Sequence, residues 1–300
     1  MKLTLLGTSC MVPTKTRNVS GMYLDFQGTG VLFDCGEGTQ RQMNLAGLNR
    51  NNISIICISH WHADHVAGLT GLLQTLDAKG GEKKLTIIGP VETKVRLQHL
   101  IDATYCNLEL ELDVIEVGET ATLDVALDSK DFMIQAISLK HGIPCVGYTF
   151  VQKERYRVEM ERIKAQGVPA GRHLAKLQSG VDSEYNGKIL TVSEFATLIP
   201  QKKFAYIADT GLCETAYILA QNADLLVCES TYLAEQESNA KKYNHLTCVQ
   251  AAQIAKECAV KKLILTHISQ RYSKVDVLLA QAQYVFKNVI VGEDFLSEKF

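Results

Sequence analysis

Short apolar runs, separated by turns that contain glycine, dominate the first third of the chain. Runs of this length predict β-strands. The run at 53–59 is nearly all apolar, a pattern typical of a strand that is buried on both faces. Apolar residues also recur with helical spacing at 37–48 and 66–77. The strands predicted in this part of the chain are at 3–6, 22–26, 31–35 and 53–59.

The rest of the chain repeats this alternation of strands and helices. Thr247, with Gln250 three residues later, has the spacing of a capping box and predicts a helix start, and Asn186-Gly187 predicts a hairpin turn. The chain has no Pro/Ser linker and no low-complexity tract, so we expect residues 1–300 to form one domain of the α/β (α+β) class, an αββα sandwich. Further strands are predicted at 85–88, 123–127, 132–139, 204–208, 224–228 and 262–266, and further helices from 91, 247 and 275.

One segment departs from this pattern. Residues 152–176 carry seven Lys and Arg against three Glu, a local excess of four positive charges. Within it, residues 154–162 have a charged pattern that predicts a helix. A charged helix is more often a solvated surface element than a binding element. We nevertheless expect residues 152–180 to form a short inserted basic arm.

The composition excludes several classes of protein. With 46% hydrophobic and 21% charged residues, the chain is an ordinary globular protein and not a disordered one. The formal charge of −2 gives no overall attraction to nucleic acid, so polyanion binding would need a local basic patch. Nine cysteines without a C-x-x-C pair indicate reduced core residues. No apolar stretch approaches the ~20 residues of a membrane span, and we expect a cytoplasmic protein with no membrane association.

The run Ser59-His60-Trp61-His62-Ala63-Asp64-His65 is the densest candidate for chemistry. It places three imidazoles and one carboxylate in six residues, directly after a buried strand and before a helix. A single histidine in a loop is about as often a plain surface residue as a ligand. Four such ligand types together indicate a metal site.

Four later segments add a candidate ligand where a strand-like run ends. A lone His141 or His267 would more often be a partner of a backbone carbonyl, but the surrounding set favours ligands. Strand ends at one edge of a sheet are where sites carried on loops assemble. Imidazole and carboxylate ligands suit zinc, with manganese or iron as alternatives. The four residues are His141, Asp209, His245 and His267.

The order H-x-H-x-D-H, then a lone His, a lone Asp and a final His, resembles the metallo-β-lactamase superfamily. The resemblance spans the whole chain and implies a hydrolase with two metal ions, in which a metal-bound hydroxide attacks the substrate. It implies that one ion is held by His60, His62 and His141, the other by Asp64, His65 and His267, and that Asp209 bridges the two.

Within that superfamily the chain is similar to the tRNase Z subgroup, the endoribonucleases that remove the 3′ trailer of precursor tRNA. The motifs that carry this similarity are Leu6-Gly7-Thr8-Ser9, Pro13-Thr14-Lys15-Thr16-Arg17-Asn18, Asp34-Cys35-Gly36-Glu37-Gly38-Thr39-Gln40, Glu229-Ser230-Thr231, His245-Leu246-Thr247 and His267-Ile268-Ser269-Gln270-Arg271-Tyr272.

This similarity implies roles for individual residues. His245, held by an acidic partner, would protonate the leaving 3′ oxygen, and Asp64 would act as a base. For Glu229, a solvated carboxylate at a strand end is as good an interpretation as that acidic partner. Lys15, Arg17 and Arg271 could contact phosphate, although exposed cations are more often simply solvated. The similarity also implies precursor tRNA as substrate, an arm that grips the tRNA elbow, and a homodimer.

Three departures from the subgroup leave other functions open. The arm has Gly171-Arg172 where the subgroup has a Gly-Pro pair, and the charged run at 154–162 replaces the glycine- and proline-rich tip of the subgroup's arm. The histidine motif has Ala63 where glycine is common, beside Trp61. One alternative is a phosphodiesterase of the same fold that acts on cyclic nucleotides or other small diesters and needs no arm. The other is a non-catalytic nucleic-acid-binding relative with a vestigial metal site.

Overall fold

The fold is known from a computed structural model, which describes residues 1–78, 84–104 and 108–300. Its strands are β1 Lys2–Gly7, β2 Ser9–Cys10, β3 Gly21–Phe26, β4 Thr29–Cys35, β5 Ile53–Cys57, β6 Lys84–Pro90, β7 Glu111–Val117, β8 Asp124–Asp128, β9 Phe132–Ser138, β10 Val146–Gln152, β11 Arg155–Val158, β12 Ser183–Tyr185, β13 Lys188–Leu190, β14 Ala196–Ile199, β15 Lys202–Ile207, β16 Leu225–Glu229, β17 Leu263–Thr266, β18 Ile268–Ser269, β19 Val289–Val291 and β20 Ser297–Lys299. Its α-helices are α1 Thr39–Leu45, α2 Ala63–Val66, α3 Leu69–Asp77, α4 Thr93–Asp102, α5 Met160–Ala165, α6 Leu174–Gln178, α7 Val192–Phe195, α8 Glu214–Ala220, α9 Glu237–Tyr243, α10 Cys248–Glu257 and α11 Asp276–Val285, with 3₁₀ turns at Arg50–Asn52 and Ala234–Gln236.

Two seven-stranded sheets face each other and bury the main core between them. Their strand orders are β20-β1-β3-β4-β5-β6-β7 and β19-β17-β16-β15-β10-β9-β8. Aromatic rings join the two layers, since the ring of Phe33 on β4 lies 5.2 Å from that of Phe204 on β15. Helices cover the outer faces, as α3 does with its buried leucines. The predicted αββα sandwich is confirmed.

The position of the site follows from the direction of the strands. Strands β4, β5, β6 and β7 run parallel in one sheet, and β15, β16, β17 and β19 run parallel in the other. Parallel strands present their carboxyl ends at one edge, where ligands bind in open sheets. The histidine-rich run follows β5, His141 follows β9, Asp209 follows β15, and His267 follows β17, while His245 lies in the connection between β16 and β17. Tertiary structure therefore gathers at one edge what the sequence distributes over 200 residues.

Most predicted elements are confirmed, with adjusted ends. The Asn186-Gly187 hairpin joins β12 and β13, with φ of 50° and 78° at the two residues. Thr247 caps α10 in a full capping box with Gln250. The predicted helix at 66–77 is interrupted at Gly68, where an added Cβ would lie 2.2 Å from the carbonyl oxygen of Gly36. Strands β7 and β10 were not predicted from the sequence.

The helix predicted at 154–162 is wrong. Residues Arg155–Val158 form the strand β11, which pairs antiparallel with Ala196–Ile199, and helix α5 begins only at Met160. The partner strand lies about 40 residues further along the chain, so no local pattern could reveal it. Tertiary pairing overrides the local helical preference of the charged residues.

The elements between β10 and β15 form an insertion with its own small core. This core is separate from the two clusters that line the sheets, and its buried members are Ile163, Val168, Leu174, Leu177, Leu190 and Phe195. The insertion runs from β11 to β14 and ends at Ile199, so it extends past the predicted range of 152–180. Gln152 and Lys202, which flank it, are direct partners in the β10–β15 ladder. The insertion therefore leaves and re-enters the sandwich at a single point.

Eight cysteines lie in the described residues, and all eight are free thiols, six of them buried. This agrees with the expected reduced core residues, while Cys106 lies outside the described part of the chain. Within the described ranges, no helix is long and apolar enough to span a membrane.

Candidate metal centre

Three imidazoles and one carboxylate meet where the loop after β5 faces the loop before β10. Nδ1 of His62 lies 3.0 Å from Nε2 of His60 and 3.3 Å from Nε2 of His141. Nε2 of His60 lies 3.7 Å from Oδ2 of Asp209. Ring nitrogens as close as these, beside a carboxylate, are the arrangement expected of residues that bind a metal ion directly.

A second group shares the same aspartate. Oδ1 of Asp209 lies 3.3 Å from Nε2 of His267 and 3.5 Å from Nε2 of His65. Oδ2 of Asp64 lies 3.5 Å from each of these two nitrogens. Asp209 thus turns one carboxylate oxygen toward each group, and the seven residues predicted from the sequence converge. His245 lies close enough to Asp209 and His267 to form a third possible ligand set with them.

Two atoms of the cluster show that it fits a cation. Oδ1 of Asp209 and Nε2 of His267 are buried and have no hydrogen-bond partner within the described residues. A buried polar atom without a partner costs about 1–3 kcal/mol, and more if charged. A divalent metal ion satisfies both atoms at once, and the imidazole and carboxylate donors suit such an ion. His267 also has a φ of 56°, a strained conformation of the kind that clusters at functional sites.

The pKa shifts separate the histidines into two kinds. Burial lowers the pKa of His60 well below its ordinary value, and the neighbouring His65 adds to the effect. Burial also acts to lower the pKa of His65, but the charges of Asp209 and Asp34 outweigh it and raise that pKa to about 9. His60 is therefore ready to bind as a neutral imidazole, while His65 must lose a proton when a cation binds.

Asp34 orients His65 from behind, a role that sequence reasoning missed. It is the penultimate residue of β4, with a φ of 55°, and is fully buried. Its Oδ2 accepts hydrogen bonds from Nδ1 of His65 at 2.8 Å, the hydroxyl of Ser59 at 2.8 Å and the hydroxyl of Tyr206 at 2.7 Å. The bond from Nδ1 leaves the lone pair of Nε2 directed at the cluster. An acidic residue at the end of an apolar strand was the signal available in the sequence.

Thr231 orients the ring of His267, as Asp34 orients that of His65. Its hydroxyl donates to Oε2 of Glu229 at 2.7 Å and lies 3.0 Å from Nδ1 of His267. A hydroxyl has one proton to donate, so Nδ1 of His267 is the donor in the second contact. Nε2 is then the free ligand atom. Nothing in the sequence marked Thr231 beyond its place in a strand-end motif.

Glu229 and His245 form a buried acid–base pair beside the cluster. Oε1 of Glu229 accepts from Nδ1 of His245 at 2.8 Å and from the backbone N–H of Thr210 at 2.9 Å. Burial opposes ionisation of Glu229, but His245 outweighs burial and holds the pKa of Glu229 well below its usual range. In the opposite sense, burial acts to lower the pKa of His245, while Glu229 outweighs it and raises that pKa. Glu229 is therefore not a solvated carboxylate.

The cluster opens into a cavity of about 1020 Å³. Arg271 lines this cavity, and its guanidinium lies 5.0 Å from the ring centroid of Tyr232. Lys15 and Arg17 line a neighbouring cavity of about 610 Å³ that shares two residues, Ser269 and Gln270, with the first. The Arg17 guanidinium donates to Oγ1 of Thr8 and to the carbonyl of Gly292, so it is held within the fold. Of the three predicted phosphate contacts, Arg271 is the one beside the cluster.

The rest of the cavity lining contains residues that the sequence analysis did not single out. They are Cys10, Met11, Tyr232 and Tyr243. The backbone N–H of Met11 donates to Oδ2 of Asp64 at 2.8 Å. Trp61, by contrast, donates its indole N–H to Oγ1 of Thr93 at 3.0 Å and packs in the outer core.

Family models and curated relatives both match this chain. Residues 152–268 match the family model for a beta-lactamase superfamily domain, and residues 1–155 match the model described as anti-Pycsar protein Apyc1. The chain is 36% identical to ribonuclease Z of Thermobifida fusca over 294 residues, covering 97% of this chain and 91% of that protein. It is likewise 36% identical to ribonuclease Z of Methanosarcina acetivorans over 299 residues, covering 99% and 97%.

Two solved structures have the same fold. The short form of human tRNase Z superposes with a TM-score of 0.74 at 27% identity, covering 100% of this chain and 99% of that one. A metallo-β-lactamase fold protein from Bacillus subtilis superposes with a TM-score of 0.71 at 20% identity, covering 99% and 98%.

Proposed function

The chain belongs to the ribonuclease Z family of the metallo-β-lactamase superfamily, and from this premise we propose that it is the endoribonuclease that removes the 3′ trailer of precursor tRNA. Similarity to ribonucleases Z over nearly the whole of both chains supports this proposal. The observation that carries it is that the ligand cluster and His245, which Glu229 holds from behind, line one cavity. Such a site combines metal-assisted hydrolysis with a positioned general acid.

The site has the ligands for two ions, and zinc suits them. His60, His62 and His141 would hold one ion and Asp64, His65 and His267 the other, and one carboxylate oxygen of Asp209 faces each group. When bound, such ions would supply a lowered pKa for water and neutralise charge on a phosphodiester. Asp34 and Thr231 fix the ring orientation of His65 and His267, so the ligand atoms are preorganised.

The protein's own groups move the protons. Asp64 lies in the cavity wall, and although burial opposes ionisation, its contacts with His267 and His65 hold its pKa well below the usual range. An ionised Asp64 can accept a proton from the attacking water. His245, kept protonated by Glu229, donates a proton to the 3′ oxygen as the P–O bond breaks. The products are a tRNA 3′-hydroxyl and a trailer with a 5′-phosphate.

The insertion supplies a second contact with a long substrate. Three of its exposed cations, Lys164, Arg172 and Lys176, have no ion-pair partner among the described residues, whereas Lys153 and Arg155 are paired with Asp128 and Asp131. Unpaired cations are available for RNA phosphates. Arg271 lines the cavity beside the candidate metal ligands and Lys15 lines the neighbouring cavity, so these two cations are available for phosphates near the scissile bond. We also propose that the protein acts in the cytoplasm as a homodimer, and a monomeric mass at micromolar concentration would contradict the dimer.

Cleavage of a 3′-extended precursor tRNA by zinc-loaded protein tests the function. We expect a single cut near the discriminator nucleotide, and we expect the Asp64→Ala variant, purified in parallel, to produce none. Absence of that cut from the wild-type protein, with hydrolysis of bis(4-nitrophenyl) phosphate intact, would reject the tRNA substrate and retain the hydrolase.

A phosphodiesterase for small diesters is the second candidate. The cavity and the ligand cluster contain no residue of the insertion, so an enzyme that acts on small diesters would need no insertion. Because Gln152 and Lys202 are partners in one β-ladder, residues 153–201 can be replaced by a short hairpin turn. The deletion should abolish processing of precursor tRNA if the RNA substrate is correct. It should leave cleavage of every substrate intact if small diesters are the true substrates.

A further inference from the structure

The cavity above the metal ligands has one strongly exposed aromatic wall. Tyr243 lines it with 51% of its surface exposed, while Tyr232, the other aromatic residue in the lining, is 5% exposed. The guanidinium of Arg271 lies 5.0 Å from the Tyr232 ring centroid and covers that ring. Tyr243 is thus the aromatic surface in the described lining that remains available to a ligand.

The backbone ties Tyr243 to the reacting groups. It is the last residue of α9, and Asn244, with φ of 54° and ψ of 55°, ends the helix in the left-handed conformation. His245 follows at once, and its N–H donates to the carbonyl of Ala240 at 2.8 Å. The carbonyl of Asn244 accepts from Nδ1 of His141 at 3.3 Å. The backbone at Tyr243 is therefore fixed beside both the proposed general acid and a candidate metal ligand, and all three residues line the same cavity.

A positively charged side chain also lies over one face of the Tyr243 ring. Nζ of Lys242 lies 5.0 Å from the centroid of the Tyr243 ring, within cation–π range. An ammonium over one face leaves the other face for a flat partner. Nucleobases stack on aromatic side chains irrespective of sequence, because every base has a π-face. A nucleotide offers a base that can stack on the Tyr243 ring and a phosphodiester whose negative charge can face the Lys242 ammonium.

We propose that Tyr243 stacks against the base of the nucleotide whose 3′ oxygen leaves, and so sets where the RNA is cut. This inference rests on the proposed endoribonuclease function. His245 must reach that 3′ oxygen, and Tyr243 lies two residues from His245 at the cavity mouth. A base that stacks on Tyr243 brings its own 3′ oxygen to the general acid. Tyr243 is then the residue that selects the scissile phosphate among chemically identical neighbours.

The first test pairs protein variants with an altered substrate. Tyr243→Ala should lower kcat/KM for precursor tRNA by roughly 5- to 150-fold, the range that base–aromatic stacking supplies, and should scatter the cut over neighbouring phosphates. Tyr243→Phe keeps the ring and should cut at the original position. Tyr284→Ala, at a ring that is 88% exposed on α11 and outside this cavity, is the matched control and should behave as wild type.

A precursor that is abasic at the discriminator nucleotide completes a double-mutant cycle. If the ring and the base stack, the abasic substrate should lower kcat/KM of the wild-type protein by the same factor as Tyr243→Ala lowers it with the normal substrate. The abasic substrate should then cause little further loss of kcat/KM with Tyr243→Ala. Independent, multiplicative losses would overturn the proposal, and so would equal losses for Tyr243→Ala and Tyr243→Phe. Unchanged metal content and Tm show that each variant is folded.

A second readout needs no cleavage. In a short RNA with 2-aminopurine at the position before the scissile phosphate, the fluorescence of that base should be quenched on mixing with the wild-type protein or with Tyr243→Phe. The quenching should be much weaker with Tyr243→Ala. Equal quenching by all three proteins would overturn the stacking. If the wild-type protein cuts no precursor tRNA, the proposed function fails, while the fluorescence result still decides whether Tyr243 stacks on a base.

Discussion

The carboxylate of Glu229, fully buried at the end of β16, accepts a 2.8 Å hydrogen bond from Nδ1 of His245, which lines the metal cavity. Further donors, the N–H of Thr210 and both the N–H and the hydroxyl of Thr231, hold the carboxylate in place. In the proposed mechanism this pair supplies the general acid beside the candidate metal ligands.

Replacing His245 should therefore separate chemistry from metal binding. In His245→Ala we expect turnover of precursor tRNA to fall by about 10²- to 10⁴-fold, the usual contribution of a general acid. The content of bound metal, measured by mass spectrometry, should stay at the wild-type level. In Asp209→Ala, which removes a carboxylate that contacts both groups of ligands, both ions should be lost. Equal metal loss in the two variants would reject this division of roles.

The Glu229–His245 pair also sets a pH dependence. Because Glu229 raises the pKa of His245, the protonated acid persists to higher pH than an ordinary histidine would allow. Glu229→Gln removes the charge, so the pKa of His245 should fall and the alkaline limb of the kcat profile should move to lower pH. A profile measured with saturating metal checks this, and an alkaline limb that stays in place would show that another group controls it.

Asp34→Asn should weaken metal binding by the group of ligands that contains His65. Either orientation of the amide places its NH₂ group, which cannot accept, against a donor: the backbone N–H of Ser59 at the Oδ1 position, or the three donors at the Oδ2 position. The substitution also removes the negative charge that faces Nδ1 of His65. We expect metal affinity to fall by about 10- to 100-fold, as for other partners behind a ligand. Calorimetric titration of the metal-free protein measures it.

Tyr206→Phe is the matched comparison for Asp34→Asn, since it removes one donor to Asp34 and leaves the carboxylate. It should lower the free energy of unfolding by about 1 kcal/mol with a much smaller effect on metal affinity. If both variants lose metal equally, Asp34 acts through packing and not through the orientation of His65.

The insertion should contribute salt-dependent RNA binding. Changing Lys164, Arg172 and Lys176 together to alanine should raise KM for precursor tRNA. It should also reduce the slope of log affinity against log salt by about one for each phosphate that the variant no longer binds. The triple variant Lys94→Ala, Lys256→Ala, Lys287→Ala makes the same charge change outside the insertion. Identical salt slopes for the two triple variants would show that the insertion does not grip the RNA.

Much of this protein could be predicted from local patterns. Residues 60–65 are a recognisable site because their spacing after a buried strand survives in the sequence alone, and the order of the later His and Asp residues completes it. The alternation of apolar runs likewise determines most strands, since burial of each run depends on its own side chains. The capping box at Thr247 and the Asn186-Gly187 turn are equally local.

Only the tertiary structure decided how the parts act on one another. Asp34 orients His65 from 31 residues away and accepts from Tyr206 across 172 residues, because β4 and β15 face each other in the sandwich. The strand at Arg155–Val158 exists because a distant partner pairs with it. A hydrogen bond or a strand pairing depends on which segments become neighbours in space, and local sequence carries no record of that. The residue types that can bind a metal were thus readable in the sequence, whereas their orientation and their partners were set by the fold.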